Sequence, residues 1–169
     1  LVKGLVKAKL DHKYNGDVEK ICPILIHGDA ALAGQGVVTE SLAMMLTEGY
    51  AVRGAVHLVT NNLLGFTADN RKGRSSCYAT DIAKMVNAPV LHVNADDIDS
   101  VVFACDTAVR YRHEFRKDVF IDLIGFRRSG HNEVDEPSFT SPLLYKAIRA
   151  KPSRAITYAD EVLGKASRE

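Results

Sequence analysis

The sequence has no tryptophan, only three cysteines and five prolines, and aromatic residues make up 7% of its 169 positions. Cys22, Cys77 and Cys105 are widely separated and odd in number. They form neither a CxxC pair nor a disulfide framework, which points to a reducing compartment and gives no reason to expect a cysteine-built zinc site. An excess of one charge is also missing: 22 Lys+Arg stand against 21 Asp+Glu, for a net charge of +1. That balance removes the electrostatic case for nucleic acid or a membrane surface as partner. No apolar run reaches the roughly 20 residues of a bilayer span, and the opening LVKGLVKAKLDHK mixes bases into an apolar pattern instead of building a signal peptide. There is no GxxxxGK[ST] phosphate loop, and Gly34-Gln35-Gly36 lacks the third glycine of a dinucleotide fingerprint. At 46% hydrophobic and 25% charged, the sequence has the composition of one folded domain with a real core.

The apolar pattern alternates between two periods. In residues 2–11, Leu5, Val6 and Leu10 are spaced for a short amphipathic helix; no residue caps its start, which suggests a natural chain that begins earlier. Residues 21–26 (ICPILI) read as a buried parallel strand. Residues 35–46 carry Val37, Val38, Leu42, Met45 and Leu46 at helical spacing, with Gly49 where a helix would stop. Residues 55–60, 89–93 and 119–124 read as three further strands. Between them lie a helix capped by Thr80 and a longer one opened by Asp96 or Asp97, with Ile98, Val101, Val102, Cys105, Val109 and Arg112 on one side. Cys22 and Cys105 read as small core residues. Ser141-Pro142 opens a last helix toward Ala150, and residues 67–77 form the clearest loop. Apolar strands alternating with helices predict an α/β fold, a mostly parallel sheet with helices on both faces.

In such sheets ligands bind beyond the carboxyl ends of the strands. The first strand leads into His27-Gly28-Asp29-Ala30-Ala31 and the second into Asn61-Asn62. One helical crossover would bring Asp29 and Asn62 together on the rim. A carboxylate and an amide oxygen are hard ligands suited to Mg²⁺, which shares its shell with substrate phosphates. The small residues Gly28, Ala30 and Ala31 would let a phosphate approach the backbone, so the pattern reads as a magnesium diphosphate site. Taken singly, Gly-Asp and Asn-Asn are also common turn formers. His57 and His92 lie inside strands as core histidines, and His113 lies late in a helix, solvated. Arg127-Arg128 suits either surface charge or an anion clamp, and Asp96-Asp97 suits a helix cap.

The segments IHGDAALAGQGVVTESL, VTNNLLGFTAD, RSSCYATDIAK, NAPVLHVNADD and FRRSGHNEVDEPSFTSPLLYKAI resemble the thiamin-diphosphate-dependent decarboxylating component of 2-oxoglutarate dehydrogenase, in order, from Leu1 to Lys151. The resemblance implies a thiamin diphosphate-binding fold, with residues 1–169 forming a single diphosphate-binding domain excised from a longer chain. It implies thiamin diphosphate and Mg²⁺ as cofactors, with Asp29, Asn62 and the Leu64 carbonyl as metal ligands and Ala30 and Ala31 beside the diphosphate. His27 and His131 would be active-site histidines; His27 read alone suits a core histidine, and His131 suits an ordering role in its loop. Leu63 and Leu32 depart from the family pattern.

The implied activity is oxidative decarboxylation of 2-oxoglutarate in the tricarboxylic acid cycle, with the succinyl group passed to a lipoyl-bearing succinyltransferase. The glutamate that activates the aminopyrimidine would come from a homodimer partner, because no counterpart motif is present here. The chain alone is therefore expected to be inactive and, with its sheet edges uncovered, prone to association. Action on 2-oxoadipate, or service only as a weak Mg-diphosphate-binding or assembly domain, are the alternatives. Bacterial cytoplasm is the expected location, or the mitochondrial matrix in a eukaryote.

Overall fold

The computed structural model describes residues 1–166. The chain runs α1 (Val2–His12), β1 (Ile24–Gly28), α2 (Asp29–Gly34), α3 (Gly36–Ala43), β2 (Val56–Asn61), β3 (Leu64–Gly65), β4 (Ala68–Asp69), α4 (Asn70–Gly73), a 3-10 helix (Ala79–Val86), β5 (Val90–Asn94), α5 (Ile98–Phe115), β6 (Val119–Ile124), α6 (Pro142–Ala150) and α7 (Arg154–Ala166). It divides into two compact units, Leu1–Gly125 and the residues from Phe126 onward.

In the first unit β1, β2, β6 and β5 pair in that order, all in parallel. β2 and β6 are the inner strands and read as nearly continuous apolar runs, as strands covered on both faces must. One face carries Val59 and Phe120 and packs Leu32 of α2, Val38 and Leu42 of α3, Met45 and Ala83. The other carries Val56, Val119 and Ile121 and packs Ala104 and Ala108 of α5. The α/β fold with helices on both faces of a parallel sheet is thus as expected.

Several boundaries and faces differ. β1 starts three residues late, because Pro23 has no N–H for a ladder and instead accepts Val56 N–H at 3.0 Å. His27 and Gly28 therefore belong to the strand and do not follow it. β1 is also not buried: it is an edge strand, with Ile24 57% and Ile26 70% exposed. The helix expected over residues 35–46 is present but shorter, as α3 ends at Ala43, and a separate helix, α2, precedes it. Thr80 is not a cap but a buried residue of the 3-10 helix, at whose start Asp81 accepts Tyr78 N–H at 2.9 Å. On α5 the packed stripe is Val101, Ala104, Ala108, Tyr111 and Arg112, while Val102, Cys105 and Val109 face outward. Two alanines let the helix lie close to the sheet, so the small residues mark the core side. Leu5 of α1 is likewise exposed, whereas Val6 and Leu10 pack against Val52. Asp97 caps α5 as expected, accepting Ser100 N–H at 3.1 Å, and residues 67–77 hold β4 and α4 within the expected loop.

In the second unit Arg128 donates to the carbonyls of Ile148, Lys151 and Pro152 at 3.4, 3.0 and 2.6 Å. It closes the C-terminal end of α6, which satisfies carbonyls the helix cannot. The arginine is therefore neither loose surface charge nor an anion clamp.

Arg112 is fully buried on α5 and donates to Gly54 O (3.2 Å), Val18 O (3.0 Å) and Ile21 O (2.9 Å). One side chain thus ties the loop before β1 and the entry to β2 onto α5. Replacing it by Met keeps the aliphatic stem but strands three carbonyls, so Arg112→Met should lose about 3 kcal/mol or more of stability. Urea unfolding of the two chains measures it.

Candidate functional site

The rim at the carboxyl ends of β1 and β2 assembles from local chain chemistry. β1 ends at Gly28 and α2 begins at once on Asp29, so the carboxylate is carried at the first helical position, where the helix dipole favours an anion. A Cβ at Gly28 would meet nothing within 4 Å, which leaves room above the strand end. Asp29 is 2% exposed, and its Oδ2 has no hydrogen-bond partner. The nearest cation is Arg74, whose guanidinium lies 3.6 Å from that oxygen and carries a buried, unbonded Nε. Burial raises the Asp29 carboxyl above its usual range, against the opposing pull of Arg74 and of the peptide N–H groups of Asp29, Ala30 and Asn62. Asn62 therefore lies against Asp29, as the crossover argument requires.

The turn after β2 is held from below. Asn61 is buried; its amide donates to Asp122 Oδ1 at 2.9 Å, and its Oδ1 accepts Leu63 N–H at 3.0 Å. Asn62 repeats the turn, its Oδ1 accepting Leu64 N–H at 3.2 Å. Leu63, between them, has φ of 62°, left-handed backbone that a leucine adopts only under constraint. The hairpin of β3 and β4 follows. A Cβ on Gly65 would lie 3.2 Å from Ala30 Cβ, so the hairpin is pressed against the start of α2. Asp29, Ala30, Asn62 and Leu64 are therefore neighbours, and Ala31 lies in the same first turn of α2.

Below the rim, His27 Nε2 lies 3.0 Å from His57 Nδ1, and His57 Nε2 lies 2.9 Å from Asp118 Oδ2. Burial, then His57 and Lys3, lower the His27 pKa to about 4. Burial also lowers that of His57, outweighing the opposing bond to Asp118. Burial pushes Asp118 up, yet bonds from His57 and Lys3 prevail and hold the carboxyl below its usual range. His57 is a core histidine as expected, stacked on Phe120 at 4.2 Å. His92 is not core: it sits on edge strand β5, part-exposed, 2.8 Å from Asp122 Oδ2 and 4.3 Å from the Tyr78 ring. His113 is not simply solvated but lies 2.6 Å from Glu19, which also bonds Arg116.

His131 is in the second unit. Its N–H donates to Asp135 Oδ2 at 2.8 Å, and its Nδ1 lies 3.3 Å from Arg127. A Cβ on the preceding Gly130 would fall 2.1 Å from Asp135 O, so the loop closes tightly there. No group of three or more His, Cys, Asp or Glu able to hold a metal occurs among the described residues; Asp29, Asn62 and a carbonyl are a different kind of set. Residues missed by the reading of the sequence are Arg74, Asp118, Asp122 and Lys3. Only Asp122, a carboxylate inside the apolar run VFIDLI, stood out locally.

Residues 2–167 match the family described as Dehydrogenase E1 component. The chain belongs to that family. Among its relatives are a 2-oxoglutarate dehydrogenase-like, mitochondrial protein of Xenopus laevis, 50% identical over 93% of this chain, and the oxoglutarate dehydrogenase of Buchnera aphidicola, 50% identical over 96%. The 2-oxoglutarate dehydrogenase E1 component of Azotobacter vinelandii is 49% identical over 99% of the chain. The chain spans 16 to 18% of the length of these proteins. The family is thiamin diphosphate-dependent. Among the described residues no helix is long and apolar enough to cross a membrane.

A raised carboxyl in the fold has a measurable sign. The unfolded chain ionises near the ordinary value of about 3.9, the folded one higher, so stability falls as pH rises through that window and the penalty persists above it. Asp29→Asn carries no such penalty. Without metal it should unfold at higher urea than the native chain at pH 7, with the gap narrowing as pH approaches the ordinary carboxylate range.

Proposed function

We propose that this chain is the part of a 2-oxoglutarate dehydrogenase E1 component that grips the diphosphate of thiamin diphosphate through Mg²⁺. The observation that carries the reading is Asp29 Oδ2, a buried carboxylate oxygen with no hydrogen-bond donor, on a rim it shares with Asn62. A buried anion left half-satisfied is costly unless something cationic completes it. Asp29, the side-chain oxygen of Asn62 and the carbonyl of Leu64 would hold Mg²⁺, hard oxygens that leave positions for phosphate. Ala30 and Ala31, without bulk, would let the diphosphate reach the backbone of α2.

Bound thiamin diphosphate supplies the electron sink for decarboxylating a 2-oxo acid. The chain's own part is anchoring and orientation: the Asp122–Asn61–Leu63 hydrogen bonds fix the turn that presents Asn62 and Leu64, and His27 and His131 are the histidines proposed for the reacting end. On this reading the substrate is 2-oxoglutarate, and the succinyl group passes to a lipoyl-bearing succinyltransferase in the tricarboxylic acid cycle. A homodimer partner brings the glutamate that activates the aminopyrimidine. The work would take place in a bacterial cytoplasm, or in the matrix of mitochondria. Residues 1–169 form the diphosphate-binding domain of that larger assembly.

Titration calorimetry with thiamin diphosphate should show binding that requires Mg²⁺ and that Asp29→Ala weakens by about 100-fold or more, since removing even an outer partner of a metal site costs 10- to 100-fold. Equal affinity of the two chains would overturn the assignment. The 169-residue chain alone should release no CO₂ from 2-oxoglutarate; steady turnover would show that no second subunit is needed.

A further inference from the structure

The histidine on β1 does not stand alone. His27 Nε2 meets His57 Nδ1 at 3.0 Å, with the two rings within 14° of parallel, and His57 Nε2 meets Asp118 Oδ2 at 2.9 Å. Asp118 Oδ2 also accepts from Lys3 Nζ at 2.8 Å, and Oδ1 accepts Ala55 N–H at 2.8 Å. A carboxylate facing three donors is an acceptor only. His57 must then carry its proton on Nε2 to meet Asp118, which makes His57 Nδ1 an acceptor. His27 must in turn carry its proton on Nε2 to meet that acceptor. Its Nδ1 is left with a lone pair and has no partner among the described residues.

We propose that His57 and Asp118 are positioning residues that dictate the tautomer of His27, holding it as the Nε2–H form so that its bare Nδ1 is the acceptor offered to an O–H or N–H group of the bound reactant. This deepens the function proposed above and rests on His27 lying at the reacting end; the tautomer itself does not depend on any ligand. The arrangement parallels the carboxylate that orients an imidazole in other active sites, with one extra ring in the chain. His57 suits the task because it is locked from the side by Phe120, 4.2 Å away and within 9° of parallel.

The test is a reversal. In Asp118→Asn the fixed Ala55 N–H still demands an oxygen, so the new amide turns its NH₂ toward His57, and the Lys3 ammonium, on its flexible stem, swings away from that NH₂. His57 Nε2 then becomes an acceptor, the proton moves to Nδ1, and His57 donates to His27 Nε2, leaving His27 protonated on Nδ1. Two-bond ¹⁵N–¹H spectra of the histidine-labelled chain separate protonated from bare ring nitrogens. The native chain should show both histidines as Nε2–H, and Asp118→Asn should show both as Nδ1–H. His57→Leu, which interrupts the chain of bonds, should leave His27 a mixture of the two forms. A native spectrum with His27 on Nδ1–H overturns the inference even if a variant fails to fold, and so does an unchanged His27 in a folded Asp118→Asn. Because no cofactor is added, loss of thiamin diphosphate binding in calorimetry would count against the proposed function alone. In the full-length enzyme Asp118→Asn should lower kcat by 10-fold or more while KM and cofactor affinity stay within about 2-fold.

Discussion

Asp118 lies one residue ahead of β6, 1% exposed, and a carboxylate so placed must find donors or cost the fold several kcal/mol. It finds three: the Ala55 peptide, His57 and Lys3, from the entry to β2, from β2 itself and from α1. Meeting all three requires β2 to enter the sheet beside β6 at one register, Val56 opposite Val119. Gly54 makes that approach possible. Its φ is +92°, and a Cβ there would lie 2.6 Å from Lys117 O, so only glycine lets the two strand entries press together. A slip of one residue would orphan the carboxylate and turn every core side chain of β2 to the wrong face.

The same strand then governs the rim. Side chains alternate along β6, so Asp118, Phe120 and Asp122 follow one another on a single face. Asp118 orders the histidine chain, Phe120 backs His57, and Asp122 holds Asn61 and so the left-handed turn that carries Asn62 and Leu64. Two buried carboxylates, four residues and so about 13 Å apart along a strand rising about 3.3 Å per residue, thus act at different heights of one sheet face: one below, on the His57–His27 pair, and one above, on the turn that carries Asn62 and Leu64.

Much of this was legible in the residues. The inner strands and β5 lie within one residue of their apolar runs, because parallel strands covered on both faces carry a continuous signal. The Asp29–Asn62 juxtaposition followed from strand ends and a crossover. What was hidden depends on partners far along the chain. Nothing near Lys3 announces Asp118, and Arg74 looks like Arg71 and Lys72 until the loop folds back and buries its guanidinium beside Asp29. The face of α5 was misread for a related reason: Ala104 and Ala108 give a weak hydrophobic signal, yet the shape of the sheet favours small residues. β1 misled because an apolar run was taken as evidence of cover, and the sheet's edge leaves Ile24 and Ile26 uncovered.

The contrast among the three aspartates carries the functional argument further than any one of them. Asp118 and Asp122 are buried and bonded at both oxygens, so their burial is explained by the fold alone. Asp29 is equally buried, yet Oδ2 faces a guanidinium beyond hydrogen-bond range and the neighbouring Leu63 is strained. A fold able to satisfy two carboxylates in its interior has left a third incomplete at the rim, where local rules are relaxed at functional sites. Arg74 is the cation that partly compensates there, and its own unbonded Nε shows that the fit is loose. An oxygen held ready against a loosely seated cation is what a site for a displacing metal requires, and that supports reading the rim as the diphosphate anchor and not as a structural turn.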